Sequence, residues 1–217
     1  MIEVERMKIS AVIPAYNEGK RIARVIEETD RYVDEIIVID DHSEEKVRSH
    51  KAKVFRNDNN LGYIGSIKRG FRKADGNIIV TLDADGEHDP RHIPLLVKQI
   101  REDKADLVFG KRNDVPRFSE RVISMMVKGK VKVSDSGTGF RAIKRDLAVD
   151  LQLEGRCTCG IFALEAHQKG ARITETPAPT RRTDKPRGMA WSHLAQFFIV
   201  LKMLLKNKKH IDHGWNR

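Results

Sequence analysis

The first half of the chain alternates between short apolar runs and longer segments with helical spacing. Residues 8–15, 34–40 and 76–85 are rich in β-branched residues and read as buried strands, with weaker runs at 52–57 and 105–112. Between these runs, apolar positions recur at helical intervals over residues 18–30, 63–73 and 90–101. The alternation predicts βαβ units, and therefore an α/β fold with a mostly parallel sheet covered by helices on both faces.

The pattern loosens after Asp114. Helices are predicted at 118–128 and 161–168, and strands at 138–143 and 171–177. We interpret the change near residue 113 as a change of role within one domain, residues 1–190. Residues 1–113 would then bind a nucleotide, and residues 114–190 would contact an acceptor.

The C-terminal segment, residues 191–217, predicts an amphipathic helix followed by a basic tail. Its longest apolar run is FFIVL, far short of the roughly 20 residues needed to span a bilayer. On a helical wheel the predicted apolar face consists of Leu194, Phe197, Phe198, Leu201, Leu204 and Leu205. Lys202, Lys206 and Lys209 are expected on the other face. The pattern suits a helix lying on an anionic membrane surface, or one packed on the core or on a second subunit.

Composition and charge narrow the possible partners. The chain has 41 Lys and Arg against 31 Asp and Glu, a net charge of +10 that favours anionic partners such as nucleotides, phospholipids or phosphorylated substrates. Nucleic acid is disfavoured, because aromatic residues make up only 6% and are not interleaved with the basic ones. Cys157 and Cys159 form no zinc pattern and are expected to be reduced thiols in a cytosolic protein. The N-terminal sequence has no secretory signal pattern.

Acidic and polar motifs follow three of the predicted strands: PAYNE, DDHS and DADGE. In an open parallel sheet, ligands bind at the carboxyl ends of the strands, so these motifs predict one shared site. Asp83 and Asp85 flank Ala84, and in an extended segment both side chains project the same way. Paired carboxylates suit Mg²⁺ or Mn²⁺, which would take its remaining ligands from a nucleotide diphosphate. His88 and His92 fit no zinc spacing and are expected to be structural or superficial.

The motifs VIPAYNE, VIDDHS, RGFRKADG, DADGEHDP and DSGTGFRA occur in the order found in GT-A fold, family 2 glycosyltransferases. The set most resembles the dolichol-phosphate mannose synthase (polyprenyl-phosphate hexosyltransferase) branch over residues 8–190. The resemblance implies a GT-A Rossmann-like sheet and an inverting enzyme that moves a hexose from GDP-mannose or a UDP-hexose to a polyprenyl phosphate. It also implies a peripheral position on the cytoplasmic face of a membrane.

The resemblance assigns roles to individual positions. The nucleotide-sugar contacts it implies are Pro14, Ala15, Tyr16, Glu18, Asp40, Asp41, Asp83, Ala84, Asp85, Arg112, Arg181 and Arg187. The metal ligands it implies are Asp83, Asp85 and Glu87, where relatives carry Gln in place of Glu87. Asp85, Arg112 and Arg181 would act in catalysis, and Arg121, Asp135 and Arg141 would contact the acceptor.

A phosphate acceptor is already ionised near neutral pH and needs no general base, whereas a hydroxyl acceptor needs a carboxylate, for which Asp135 is the candidate. Two departures leave the acceptor open: the stretch from Arg112 to Arg141 is shorter than in relatives, and Pro186-Arg187 replaces the usual Ser-Lys. The alternatives are therefore a transferase acting on a saccharide or another hydroxyl acceptor, and a nucleotide-binding module without turnover. The sequence does not indicate an oligomeric state.

Overall fold

The computed structural model describes residues 6–115, 117–155, 157–181 and 192–206. Within these residues seven strands form one sheet in the order β3-β2-β1-β4-β6-β5-β7. The strands are β1 Ile9–Ala15, β2 Glu35–Asp40, β3 Lys53–Arg56, β4 Ile78–Thr81, β5 Leu107–Lys111, β6 Arg141–Lys144 and β7 Ile173–Pro177. The helices are α1 Arg21–Thr29, α2 Gly62–Lys73, α3 Ile93–Arg101, α4 Phe118–Lys128, α5 Arg145–Asp150, α6 Ile161–Gln168 and α7 Ser192–Lys206.

The predicted mostly parallel α/β sheet is confirmed. Strand β6 is the exception, because it lies antiparallel between β4 and β5. The helices predicted at 118–128 and 161–168 have the bounds of α4 and α6. The apolar pattern did not predict α5, since six residues with only Leu147 and Ala148 buried are too short to show a helical period.

Both faces of the sheet are buried, which explains the uninterrupted apolar runs. Neighbouring strand residues point to opposite faces. Val12 and Ile79 accordingly belong to the core beneath α2 and α4–α7, while Ile13 and Val80 belong to the core beneath α1 and α3. All four side chains are fully buried. A strand covered on both sides has no polar face, so it loses the alternation of a half-exposed strand.

Helix α7 packs against α4 and α6. Gln196 and Val200 are buried on its inner side, whereas Phe198, Leu201 and Leu205 are exposed. The prediction that Lys202 lies on the face opposite the apolar residues was wrong. Lys202 is exposed, four positions after Phe198 and three before Leu205, so it lies on the same side of the helix as both. The side chain of Lys206 and the whole of Lys209 lie outside the described residues. Within the described residues, no helix is both long and apolar enough to cross a bilayer.

Candidate active site

A cavity of about 600 Å³ opens at the carboxyl ends of β1, β2 and β4. Its volume lies within the usual range for small-molecule sites. The predicted residues that line it are Pro14, Ala15, Tyr16, Glu18, Asp41, Asp83, Ala84, Asp85, Glu87 and Arg112. The three strand-end motifs therefore meet in one pocket, as the rule for open parallel sheets requires.

The loops after β1 and β2 are tied together at the rim of this pocket. The Ser43 hydroxyl accepts a hydrogen bond from the backbone N–H of Asn17 at 3.0 Å, and the Asn17 side chain accepts one from the N–H of Glu44 at 2.8 Å. Asn17 adopts a left-handed backbone conformation with φ of 54°, which Asn tolerates better than most residues. These bonds hold Tyr16, half exposed at 51%, at the pocket edge, where its ring is available for stacking.

The neighbouring residues Asp40 and Asp41 face different surroundings. Asp41 lines the pocket, and its Oδ1 accepts hydrogen bonds from Asn57 Nδ2 at 2.6 Å and Leu61 N at 2.8 Å. Asp40 does not line the pocket. Its carboxylate accepts from the backbone N–H of Ser43 and from Arg56 Nη1 at 2.6 Å. Asp40 thus closes the loop after β2, and Asp41 is the member of the pair that can meet a ligand.

Asp83 is held by close neighbours. Its carboxylate lies 3.8 Å from Nε2 of His88, whose Nδ1 accepts the backbone N–H of Asp83 at 3.1 Å. The His88 ring is buried and stacks on Phe140. A Cβ placed on Gly139 would lie 2.5 Å from both carboxylate oxygens of Asp83, so the absence of a side chain there leaves room for the carboxylate. His88 was expected to be structural or superficial; it is buried, but it also lines the pocket beside Asp83.

The acidic loop after β4, which contains Asp83, Asp85 and Glu87, suits a hard divalent cation whose remaining ligands come from the substrate. Asp85 is 8% exposed, and its Oδ1 accepts the backbone N–H of Glu87 at 3.1 Å. Asp83, Asp85 and Glu87 all line the pocket, yet no group of three or more acidic, His or Cys residues in the described chain is preset to hold a metal. Mg²⁺ and Mn²⁺ sites in nucleotide enzymes commonly use one or two carboxylates together with phosphate oxygens. The carboxylate oxygens that line this part of the pocket therefore fit such an ion.

Arg112 stands at the centre of a buried ionic network on another wall of the pocket. Its Nε and Nη2 donate to the two carboxylate oxygens of Asp135 at 2.8 and 2.7 Å, and Nη2 also donates to Glu120 at 2.8 Å. Arg112 and Glu120 line the pocket, whereas Asp135 lies behind it and is 1% exposed. Burial opposes the charge of Arg112, but the hydrogen bonds and negative charges of Asp135 and Glu120 together outweigh burial and raise the pKa of this guanidinium.

Arg117 and Arg121, one helical turn apart, have different surroundings. Arg117 lines the pocket and pairs with Glu120 at 2.9 Å, and its Nε has no hydrogen-bond partner among the described residues. Arg121 lies outside the pocket, where it pairs with Asp114 and donates to the carbonyl of Val115. The structure therefore brings Arg117, rather than the predicted Arg121, to the cavity.

Arg141 is fully buried beneath the pocket. Its guanidinium lies over the rings of Phe109 and Phe162, with centroids 5.6 and 4.6 Å away, and Nη2 donates to the Thr158 hydroxyl at 2.9 Å. Nε and Nη1 have no hydrogen-bond partner among the described residues. The pocket-lining Tyr63 is half-buried with its hydroxyl inaccessible, and burial, followed by the charge of Asp83, raises the pKa of this hydroxyl. Arg141 therefore does not line the cavity and can influence a ligand only through neighbouring residues such as Thr158.

Arg181 lies beside the acidic loop. Its backbone N–H donates to the carbonyl of Glu87 at 2.8 Å, and its guanidinium pairs with Glu28 and, at 2.8 Å, with Asp89. The side chain therefore braces the loop against α1 and does not line the cavity. Arg187 lies outside the described residues.

Several residues that line the pocket were not predicted from the sequence. They are Asn60, Gly62, Tyr63, Ser66, Arg117, Glu120, Cys157, Thr158 and Cys159. One available signal was the pairing of Arg117 with Glu120 at helical spacing in the first turn of α4. The cysteines gave no such signal, because only the fold places residues 157–159 beside Glu120.

The family model described as glycosyl transferase family 2 matches residues 10–148, well over half of the chain. The chain belongs to glycosyltransferase family 2. The matched span runs from β1 into α5 and includes the three strand-end motifs and the arginine network. The fold and the enzyme class expected from the sequence are both confirmed.

Similar proteins include transferases that act on lipid phosphates. A UDP-N-acetylglucosamine–dolichyl-phosphate N-acetylglucosaminyltransferase of Methanococcus voltae is 26% identical, and the alignment covers 94% of this chain and 98% of that protein. A dolichol-phosphate mannosyltransferase of Pyrococcus furiosus is 27% identical over 79% of this chain, but the match spans only 56% of that protein. These relatives confirm the resemblance to polyprenyl-phosphate sugar transferases.

A solved structure shares the fold of this glycosyltransferase. Glucosyl-3-phosphoglycerate synthase of Mycobacterium tuberculosis, crystallised with Mn²⁺, UDP and phosphoglyceric acid, superposes with a TM-score of 0.74. Sequence identity is 22%, and the match covers 96% of this chain and 81% of that one. At this identity the similarity establishes the GT-A type fold.

Proposed function

We propose that this glycosyltransferase moves a hexose from a nucleoside-diphosphate sugar, GDP-mannose or a UDP-hexose, to a polyprenyl phosphate with inversion at the anomeric carbon. One observation carries the proposal. The two carboxylates nearest Arg112, those of Asp135 and Glu120, are both engaged by arginines. This wall of the pocket is therefore better equipped to hold an anion than to remove a proton.

The state of Asp135 argues against a hydroxyl acceptor. A general base must reach the proton that it abstracts, but Asp135 is almost fully buried, and both of its oxygens accept from Arg112. Glu120 faces the pocket, but its two oxygens pair with Arg112 and Arg117. A phosphate monoester is mostly ionised at neutral pH and can attack without a base. A phosphate acceptor thus matches the groups that are present.

The donor would lie across the strand-end motifs. Asp41 and Tyr16 would contact the nucleoside, and Asp83 and Asp85, with Glu87 beside them, would hold Mg²⁺ or Mn²⁺ with the diphosphate. When bound, the ion supplies Lewis acidity that stabilises the departing nucleoside diphosphate. Arg181 would keep the acidic loop in position through Glu28 and Asp89.

The acceptor phosphate would bind at Arg117, with Arg112 behind it. Arg117 is the more accessible of the two, with 37% of its side chain exposed against 10% for Arg112. A planar guanidinium that is partly exposed at the pocket can donate hydrogen bonds to phosphate. Glu120 would hold the two guanidinium groups at a fixed spacing while screening their mutual repulsion.

The lipid portion would extend onto a membrane along α4 and α7, which pack against each other. Phe118, directly after Arg117, is 81% exposed, and Met125 on the same face of α4 is 69% exposed. On α7, Phe198 and Leu205 are 61% and 70% exposed. The basic residues on these outward faces are Arg121, Lys128 and Lys202. Among the described side chains of α4 and α7, exposed apolar residues are mixed with cations and no acidic residue is exposed, while the exposed Asp114 pairs with Arg121 beside α4. This mixture suits an anionic lipid surface, on the cytoplasmic face of a membrane.

An acceptor competition assay tests the proposed function. The purified chain is incubated with GDP-mannose or UDP-hexoses and Mn²⁺ or Mg²⁺, with a polyprenyl phosphate, a saccharide or no acceptor. Nucleoside diphosphate release that requires the lipid phosphate, with formation of a glycosyl-phosphate lipid, is the expected result. Release that requires the saccharide would replace the proposal with the hydroxyl-acceptor alternative. Nucleotide binding without release from any donor would indicate the non-catalytic module.

A further inference from the structure

Two thiols line the pocket beside the arginine network. Cys157 is half-buried and Cys159 is 7% exposed, and neither forms a disulfide. A Cβ placed on Gly137 would lie 3.4 Å from Glu120 Oε2 and 3.7 Å from Cys159 Sγ. The cysteines and Glu120 therefore border the same small region of the cavity, the part that would receive the acceptor.

The segment that carries the cysteines is fixed from two sides. Thr158, between them, accepts a hydrogen bond from the fully buried Arg141. Gln196 on α7 accepts the backbone N–H of Cys157 at 3.3 Å and donates to the carbonyl of Cys159 at 3.1 Å. The thiol of Cys157 is thus held in the pocket wall while remaining partly accessible.

The surroundings of Cys157 favour its thiolate, which is the reactive form of cysteine. Hydrogen bonds from the thiol and the backbone N–H of Cys159 lower the pKa of Cys157, and the positive charge of Arg141 contributes in the same direction. Burial and the negative charge of Glu120 oppose this shift without reversing it. Arg141 also has two buried nitrogens, Nε and Nη1, with no hydrogen-bond partner among the described residues. This buried cation donates to Thr158, where its charge would stabilise negative charge in the neighbouring wall.

We propose that Cys157 is a thiol-modification site in the wall of the active-site pocket, and that a small disulfide reacting there blocks the acceptor while sparing the nucleotide. The effect on transfer rests on the proposed function, but the modification itself does not. In the exchange, the Cys157 thiolate attacks one sulfur of the disulfide. A new sulfur–sulfur bond forms, the original one breaks, and the second half leaves as a thiolate with the bonding electron pair. The proton of Cys157 passes to solvent or to the leaving thiolate.

Methyl methanethiosulfonate, a small reagent that transfers a methylthio group and releases methanesulfinate, tests the site on the full chain. Mass spectrometry of the digested protein follows both cysteines without any substrate present. We expect Cys157 to react about tenfold faster than Cys159, because Cys157 is more exposed and its own pKa is lowered. Equal rates, or faster labelling of Cys159, would overturn the assignment.

Activity measurements then test the consequence. Labelled wild-type protein should lose about tenfold or more of its transfer to acceptor, recover it with dithiothreitol, and bind nucleoside diphosphate with Mn²⁺ as before. Cys157→Ser and Cys157→Ala, each compared with its own untreated rate, should resist the reagent, whereas Cys159→Ser should remain sensitive. Full labelling of Cys157 with unchanged transfer would overturn the blocking role. Absence of transfer before any treatment would refute the proposed function, while the labelling rates would still decide the thiol site.

Discussion

Gln196 on the C-terminal helix α7 is hydrogen-bonded to both ends of the Cys157–Cys159 segment that forms part of the pocket wall. The side chain is fully buried, and Gly155 packs against it so closely that a Cβ there would lie 3.0 Å from Gln196 Oε1. A helix whose outer side carries exposed Phe198 and Leu205 is therefore connected to the active site through one amide. The position of α7 and the shape of the pocket depend on each other.

Replacing this amide should affect both stability and transfer. Gln196→Ala leaves the backbone groups of Cys157 and Cys159 without their partners, at a cost of about 1–3 kcal/mol in the free energy of unfolding. We expect a lower melting temperature and a higher KM for the acceptor, measured by thermal unfolding and steady-state kinetics. Lys202→Ala, on the exposed side of the same helix, should leave the melting temperature unchanged. An unaltered acceptor KM in Gln196→Ala would mean that the two regions are not coupled.

Substitutions of Asp40 and Asp41 should have separate effects, one on the stability of the fold and the other on nucleotide binding. Asp41→Asn keeps an oxygen for Asn57 and Leu61 but removes the charge that faces the pocket, so nucleotide affinity should fall about tenfold, or about 1.4 kcal/mol. Asp40→Asn should instead destabilise the fold by about 1–3 kcal/mol while leaving nucleotide affinity intact. Isothermal titration calorimetry and urea unfolding of both variants distinguish these effects. Loss of affinity in Asp40→Asn alone would reverse the assignment.

The contribution of Asp40 should depend on pH. Burial raises the pKa of this carboxyl, but hydrogen bonds from Ser43 and Arg56 outweigh burial and lower it below its usual value. A group whose folded-state pKa is lowered stabilises the protein above its unfolded pKa of about 3.9, and that stability is lost as the pH falls through the folded-state pKa. Urea unfolding should therefore show wild type more stable than Asp40→Asn near pH 7, with the difference shrinking below about pH 4. A difference that grows on acidification would contradict the ion pair.

Gly139→Ala tests whether the position of the Asp83 carboxylate matters for binding. The added methyl group would lie 2.5 Å from both carboxylate oxygens, so the carboxylate must move. We expect Mn²⁺-dependent binding of nucleoside diphosphate to weaken by about tenfold or more, measured by calorimetry. Gly129→Ala is the matched control, because the nearest atom to its Cβ would be 3.9 Å away. Equal binding by the two variants would show that Asp83 does not need its present position.

Arg117 and Arg121 provide a second matched pair. Arg117→Ala should raise the KM for polyprenyl phosphate about tenfold with little change in the KM for the donor, because its guanidinium lines the wall at which we propose that the acceptor binds. Arg121→Ala should change either value less than about threefold, since this side chain pairs with Asp114 outside the pocket. Steady-state kinetics with each substrate varied in turn measure both. The opposite ranking would restore Arg121 as the acceptor residue.

The sheet and the strand-end wall of the pocket could be predicted from the sequence, because both depend on local patterns. Apolar runs followed by Asp41, Asp83 and Asp85 mark strands and their carboxyl ends. The parallel sheet then brings those ends together in one pocket. The length of a strand was less accessible: the run predicted over 76–85 ends at Thr81, where the chain turns into the acidic loop.

The wall proposed to bind the acceptor was harder to predict, because it depends on contacts between residues distant in the chain. Asp135 looks like a candidate base in the sequence, and only the fold shows that Arg112 occupies both of its oxygens. Similarly, Arg141 follows a glycine-rich turn and resembles a ligand contact, yet β6 carries it into the core between two phenylalanine rings. Sequence spacing gives no information on which of two nearby arginines faces a cavity.

Calorimetric titration of GDP and UDP into wild type and Asp85→Asn, with Mn²⁺ or with EDTA, tests most directly whether the strand-end pocket binds a metal–nucleotide complex. Asp75→Asn, whose side chain is 74% exposed and pairs with Lys53 away from the cavity, serves as the charge-matched control. The account predicts that wild type and the control bind one of the two nucleotides tightly with Mn²⁺. It also predicts that EDTA or Asp85→Asn weakens this binding at least about tenfold. Binding by Asp85→Asn as tight as that of wild type, with the same dependence on Mn²⁺, would contradict it.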